Sequence, residues 1–147
     1  MSIGLWVRGA RPKTLATSIA SVMVGAAMAY VHIEQSGTCI AIYPEPASCA
    51  TAREQQTLLM DRFWPVTILC LLVALFLQIA VNYANDYSDG IRGTDAGRDT
   101  DESKSGKPQR LTASGLVPAK HVLFSAMICA AIACICGVVA VVLAQAD

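Results

Sequence analysis

The chain has 147 residues, 54% of them hydrophobic and 15% charged, with 11 basic and 11 acidic side chains and a formal net charge of +0. Mean hydropathy is +0.50, and the apolar residues gather into long blocks instead of recurring at amphipathic spacing. This excludes an ordinary water-soluble domain, and without a basic excess no nucleic-acid partner is expected. The pattern is that of a membrane protein whose natural partner is the lipid bilayer.

The first element is a short basic segment carrying Arg8, Arg11 and Lys13. A break at Arg11-Pro12 follows, with Thr14 as a candidate N-cap, and then an apolar block over about residues 15–33. The block is long enough for a helix across a hydrocarbon core of roughly 30 Å, which takes about 20 residues. Its basic start and the small residues Ala27-Met28-Ala29 also suit a cleaved signal peptide, but the length of the block and the two that follow favour retention.

Residues 34–63 are expected to form an outer loop. Cys39 and Cys49 lie in it on either side of Pro44-Glu45-Pro46, so a disulfide between them is open in an oxidising compartment. A second membrane helix is expected over about 64–83, a polar loop over 84–116, and a third helix over about 117–146 beginning near Pro118. The segment from Glu34 to Phe63 carries only Arg53 and Arg62 as basic residues, whereas Arg92, Arg98, Lys104, Lys107, Arg110 and Lys120 flank the second and third blocks. By the positive-inside rule the N-terminus and the 84–116 loop are cytoplasmic. Trp6, Phe63, Trp64 and Tyr83 stand near segment ends, where interfacial aromatics belong. Cys70, Cys129, Cys134 and Cys136 fall inside apolar helices without a metal-binding pattern around them and are expected to be small core residues.

The chemistry is concentrated where the second apolar block ends, in Asn82-Tyr83-Ala84-Asn85-Asp86-Tyr87-Ser88-Asp89-Gly90-Ile91-Arg92-Gly93-Thr94-Asp95. On a helix, Asn82, Asn85, Asp86 and Asp89 fall on one face. Carboxylates so close repel one another unless they are solvated, protonated or bridged by a cation. Magnesium takes one or two carboxylates and fills its other positions with water and phosphate oxygens, so the cluster suggests a phosphate or diphosphate at a membrane surface. Ionisable residues at the end of a membrane helix are functional by default. Asp99, Asp101 and Glu102 read as solvated loop charges, and His32 and His121 have no partner near them in sequence.

Asn85-Asp86-x-x-Asp89 followed by Gly93-Thr94-Asp95 resembles the first aspartate-rich motif of the UbiA superfamily of intramembrane aromatic prenyltransferases. The superfamily's general pattern places its last aspartate four residues after the second; here Gly93 holds that place and the aspartate arrives at Asp95. That spacing looks like the branch that prenylates 1,4-dihydroxy-2-naphthoate in menaquinone biosynthesis. Residues 6–15 (Trp-Val-Arg-Gly-Ala-Arg-Pro-Lys-Thr-Leu) with Val22-Met23-Val24-Gly25, and residues 108–117 (Pro-Gln-Arg-Leu-Thr-Ala-Ser-Gly-Leu-Val), look like two further stretches of that branch.

The resemblance implies an all-α, multi-pass transmembrane helical bundle, with this chain supplying about three helices at the N-terminal part of the domain. It implies a magnesium-dependent transfer from polyprenyl diphosphate to 1,4-dihydroxy-2-naphthoate, with loss of carbon dioxide and diphosphate, giving demethylmenaquinone. Asp86 and Asp89 are the expected metal ligands, with Asp95 as a third, and Asn85 stands among the catalytic candidates. Asn82, Arg110, Lys104 and Lys107 are expected to meet diphosphate, and Arg11 the acidic aromatic substrate. Such enzymes carry a second aspartate-rich motif on a later helix, yet after Lys120 no acidic residue occurs until Asp147. The chain is therefore expected to be a fragment, a truncation or one part of a split enzyme, working with the enzyme's remaining helices.

Other readings stay open. The acceptor could be of the 4-hydroxybenzoate or homogentisate type, or the chain could be a noncatalytic membrane subunit. A CDP-alcohol phosphotransferase also begins its motif with Asp-x-x-Asp-Gly, as in Asp86 to Gly90, but its next elements are missing. A calcium loop of the EF-hand kind fails because the twelfth position from Asp86 is Gly97.

Overall fold

The computed structural model describes residues 3–37, 46–92, 111–112 and 117–145. Every regular element among them is helical: α1 (Ile3–Gly9), α2 (Pro12–Ser36), α3 (Pro46–Arg92) and α4 (Ala119–Gln145). Three of these, α2, α3 and α4, are long and apolar enough to cross a membrane. The architecture is an all-α membrane bundle.

α2 starts at Pro12, whose fixed φ and missing N–H suit a first helical turn. The residue in the N-cap place is Arg11, not Thr14. Arg11 adopts a left-handed backbone with φ 52° and ψ 69° and makes no side-chain cap. The Thr14 hydroxyl instead donates to the Arg11 carbonyl oxygen at 2.9 Å, inside the first turn.

α3 differs most from the sequence expectation. It is a single helix of 47 residues that runs through Pro65, about 70 Å long at 1.5 Å per residue and more than twice the hydrocarbon thickness. Residues 46–63, expected as outer loop, are its first turns. The reason is composition: Ala50, Ala52, Arg53, Glu54, Gln55, Gln56, Leu58, Leu59 and Met60 are strong helix formers, and their polarity marks a helix outside lipid and not the absence of one. At the other end α3 continues to Arg92, so residues 84–92 are helix and not loop. The Gln56 amide donates to the Glu34 carbonyl oxygen at 2.9 Å, and Tyr30 meets Phe63 edge-on with ring centroids 5.4 Å apart. These contacts lay the end of α2 along the early turns of α3.

α4 packs along α3. Its buried residues Val122, Ala126, Ala133 and Ala140 recur four and seven positions apart, so small side chains form one seam along which two helices approach closely. The rest of α4 is apolar, with Phe124, Met127, Ile135 and Val138 more than 60% exposed; a helix hydrophobic on every face belongs in lipid or among further helices. Pro118 stands just before α4, and its carbonyl oxygen accepts from the His121 N–H at 2.9 Å.

The tightest packing lies at one end of the bundle, where Ala10, Tyr83, Leu111, Val117, Val122 and Ala126 form the buried core. Helices α1, α3 and α4 each have a residue in or against that core, and the acidic end of α3 begins beside it.

Candidate functional site at the acidic end of the third helix

Asn82, Tyr83 and Asp86 are buried on α3, with Asn82 4% and Asp86 3% exposed. Asp89 is half-buried and Asn85 is exposed. The face anticipated for four polar residues therefore splits: Asn82, Asp86 and Asp89 lie within about 60° of one another at 100° per residue, while Asn85 falls on the outer flank.

Each buried polar group ties α3 to a different part of the chain. The Asn82 amide nitrogen donates to the Ala10 carbonyl oxygen at 2.7 Å and to the Thr14 hydroxyl at 3.0 Å, and its oxygen accepts from Gln78 at 3.4 Å. The Tyr83 hydroxyl donates to the Trp6 carbonyl oxygen at 3.0 Å, and the two rings meet edge-on at 5.6 Å. The Asp86 carboxylate accepts through Oδ2 from the backbone N–H of Leu111 at 2.9 Å and of Thr112 at 3.3 Å. In a lipid-surrounded bundle a buried backbone group without a partner costs on the order of several kcal/mol, so these bonds hold the end of α1 and the 111–112 turn in place.

The close approaches depend on two glycines. A Cβ on Gly9 would lie 2.5 Å from Leu111 Cδ1 and 3.3 Å from Tyr83 Cε1. A Cβ on Gly90 would strike the Thr112 side chain. Three stretches distant in sequence, around Trp6 to Thr14, Asn82 to Gly90 and Leu111 to Thr112, are thus one packed unit.

Of the residues singled out in the sequence, Asn82, Asp86 and Asp89 share this end of α3, and Arg11 lies half-buried at the α1–α2 corner that Asn82 holds. Asp95, Lys104, Lys107 and Arg110 lie outside the described residues. So does Cys39; Cys49 is disulfide-bonded. The sequence reading passed over Gly9, Gly90, Gln78, Leu111 and Thr112. The signal for the last two was present in residues 108–117, where a Leu-Thr pair follows the basic Arg110.

Among the described residues, no group of three or more His, Cys, Asp or Glu side chains is placed to hold a metal ion. The donor set there is Asp86 and Asp89, one turn apart. It fits a hard cation that keeps most of its positions for water and phosphate oxygens, and does not fit a cage made wholly of protein ligands.

Away from this end, a largely apolar cavity of about 450 Å³ opens between α2, α3 and the end of α4, lined by Gly25, Ala29, Ile33, Phe63 and Val66, with Arg62 also on its wall. Cys70, its lining residue nearest in sequence to the acidic end, precedes Asp86 by about 24 Å of helix.

No protein-family model matches the chain, and no solved structure matches it. Curated relatives do. The chain is 37% identical to a 1,4-dihydroxy-2-naphthoate octaprenyltransferase of Mycobacterium tuberculosis over 139 residues, covering 94% of this chain and 36% of the relative. It is 33% identical to the enzyme of the same name from Mycobacterium leprae, over 92% of this chain and 35% of the relative. A third, from Haemophilus influenzae, is 30% identical over 80% of this chain and 28% of its own length. The chain is a homologue of 1,4-dihydroxy-2-naphthoate octaprenyltransferases over about a third of their length.

Proposed function

We propose that the chain forms the N-terminal part of a prenyltransferase that joins a polyprenyl group to 1,4-dihydroxy-2-naphthoate in menaquinone biosynthesis. It acts together with the helices that make up the remaining length of its relatives. The observation that carries this reading is the meeting of the three stretches at one end of the bundle, since each is a stretch on which the resemblance to that enzyme branch rests. A bundle that draws them together around Asp86 and Asp89 has the composition of a diphosphate site at a membrane surface.

In the reaction the allylic carbon–oxygen bond of the prenyl diphosphate breaks and its electron pair leaves with the diphosphate. The electron-rich ring attacks the allylic carbon, and the ring carboxylate departs as carbon dioxide, leaving a prenylated naphthohydroquinone. Asp86, Asp89 and Asp95 would hold a magnesium ion, which would neutralise charge as diphosphate forms. Asn85 and Asn82 stand on the same turns, and Arg110, Lys104 and Lys107 provide cationic donors for diphosphate oxygens. Arg11, at the corner beside Asn82, attracts the acidic aromatic acceptor. The apolar walls hold the polyprenyl chain and keep water from the allylic cation.

The chain lies in the cell membrane as a multi-pass protein, with the acidic end cytoplasmic. Charge distribution supports that orientation, and the disulfide at Cys49 supports placing the start of α3 on the oxidising side.

The test is prenyl transfer to 1,4-dihydroxy-2-naphthoate in membranes carrying the chain, alone and together with the coding sequence that follows it, with magnesium or with chelator. Chelator-sensitive transfer in the combined membranes is the expected result. Stable insertion without transfer in either setting would sink the reading and favour a noncatalytic subunit; transfer to 4-hydroxybenzoate instead would replace the acceptor.

A further inference from the structure

We infer that Asp86 is a positioning residue: its carboxylate clamps the Leu111–Thr112 turn onto the end of α3 and so sets the form of the polar end of the bundle. The geometry is specific. One oxygen, Oδ2, accepts two successive backbone N–H groups at 2.9 and 3.3 Å, and the carboxylate is almost fully buried. Bonds from backbone N–H to a charged acceptor are about twice as strong as neutral ones.

The clamped turn is itself a keystone. Leu111 is fully buried and belongs to the core formed by Ala10, Tyr83, Val117, Val122 and Ala126. It rests against Gly9 at the end of α1, and Thr112 rests against Gly90 on α3. Holding these two residues therefore registers α1, α3 and the start of α4 against one another. Arg110, the basic residue expected to meet diphosphate, immediately precedes Leu111 in sequence. Asp86 and Asp89 would both hold the magnesium ion of the proposed reaction, and Asp86 also serves the two backbone amides through Oδ2. The positioning role in catalysis rests on the proposed prenyl transfer; the clamp itself does not.

The experiment compares wild type with Asp86→Asn, Asp86→Ala and Gly90→Ala in nanodiscs, in the chain together with the coding sequence that follows it. It reads single-amide hydrogen exchange at Leu111 and Thr112 without substrate, and prenyl transfer separately. The amide oxygen of the Asn variant still accepts both N–H groups, so its exchange stays within a few-fold of wild type, while the Ala variant exchanges roughly tenfold or more faster at these two amides. The Asn variant accordingly recovers part of the transfer lost in the Ala variant, a rescue that pure metal ligation does not predict. Gly90→Ala pushes Thr112 away with the carboxylate intact, so it raises exchange at the same amides even if the Ala variant fails to accumulate. Unchanged exchange in Asp86→Ala, equal exchange in the Asn and Ala variants, or unchanged exchange in Gly90→Ala would each overturn the clamp. Failure of the functional reading shows differently, as wild-type protein with protected amides and no prenyl transfer.

Discussion

The side-chain amide of Asn82 donates to the carbonyl oxygen of Ala10 at 2.7 Å, joining residues 72 positions apart in the chain. The Ala10 carbonyl lies at the end of a seven-residue helix, where the last carbonyls have no partner within the helix. In a bundle surrounded by lipid that acceptor must be met by the protein. Asn82→Ala removes the donor to Ala10 and Thr14 and the acceptor for Gln78, so it is expected to destabilise by about 1–3 kcal/mol. Asn82→Asp offers an oxygen to an oxygen and buries a charge, and is expected to cost more. Denaturation in mixed micelles measures both, and protease sensitivity in the first 15 residues should rise in step. A pure diphosphate ligand predicts the opposite, a raised KM with unchanged stability.

Two glycines on the helical segments should behave differently. At Gly9 an added methyl meets Leu111 at 2.5 and 2.9 Å and Tyr83 at 3.3 Å, atoms that are themselves buried. Gly9→Ala is expected to destabilise by about 1–3 kcal/mol through overpacking. At Gly25 nothing lies within 4 Å of the added carbon, and helix propensity favours alanine by about 1 kcal/mol, so Gly25→Ala is expected to be neutral or stabilising. Thermal unfolding of the two variants side by side checks the contrast; equal losses would show that the 111–112 turn does not press on α1.

Much of this architecture was legible in the sequence because lipid imposes a simple rule: long apolar blocks are helices. The blocks at 15–33 and 117–146 correspond to α2 and α4 with boundaries within a few residues. The first third of α3 departs from the loop its polarity suggests, because Ala, Gln, Glu, Arg and Leu favour a helix in water as well. At the site, spacing placed Asn82, Asn85, Asp86 and Asp89 on one face of α3, and the structure keeps Asn82, Asp86 and Asp89 together while leaving Asn85 exposed. Spacing could not place their partners, because Ala10, Leu111 and Thr112 contribute backbone atoms, and a backbone N–H or carbonyl carries no residue-type signal. Even the pairing of Gly9 with Leu111 is invisible without the fold that brings them together.

Arg11 occupies a left-handed backbone conformation, φ 52° and ψ 69°, which costs a residue with a Cβ roughly 1–2 kcal/mol, and it precedes Pro12, which narrows its choices further. Arg11→Gly relieves that strain but adds about 0.5–1 kcal/mol of chain entropy to the unfolded state. Net stability is therefore expected to change by less than about 1 kcal/mol. Arg11→Ala keeps the strain and removes the guanidinium. If Arg11 attracts the acidic acceptor, both variants should raise the KM for 1,4-dihydroxy-2-naphthoate alike, by roughly tenfold or more, with the KM for polyprenyl diphosphate unchanged. A rise confined to one variant would assign the effect to backbone geometry.

The disulfide at Cys49 gives the orientation a chemical test. In intact spheroplasts, a membrane-impermeant maleimide is expected to label Cys49 only after a mild reductant is added, in a variant whose Cys70, Cys129, Cys134 and Cys136 are replaced by alanine. Labelling that requires permeabilisation would turn the bundle over and place the acidic end outside.

Asp89 is the carboxylate on which the proposed metal dependence turns. It lies about one helical turn beyond Asp86 and is half-buried at the end of α3, so a cation there can keep water and phosphate oxygens in its remaining positions. Asp89→Asn keeps the size of the side chain and removes its charge. It is expected to lower kcat by on the order of a hundredfold, the scale of losing one preorganised stabiliser of developing charge, with little change in unfolding temperature. The concentration of magnesium needed for half-maximal rate should rise in the same variant, and chelation should abolish transfer by wild type until magnesium is restored. The readout separates two roles for this turn of helix: a raised magnesium requirement assigns Asp89 to the metal, whereas a lowered unfolding temperature at unchanged magnesium requirement would assign it to the fold, leaving the diphosphate charge to the basic residues alone.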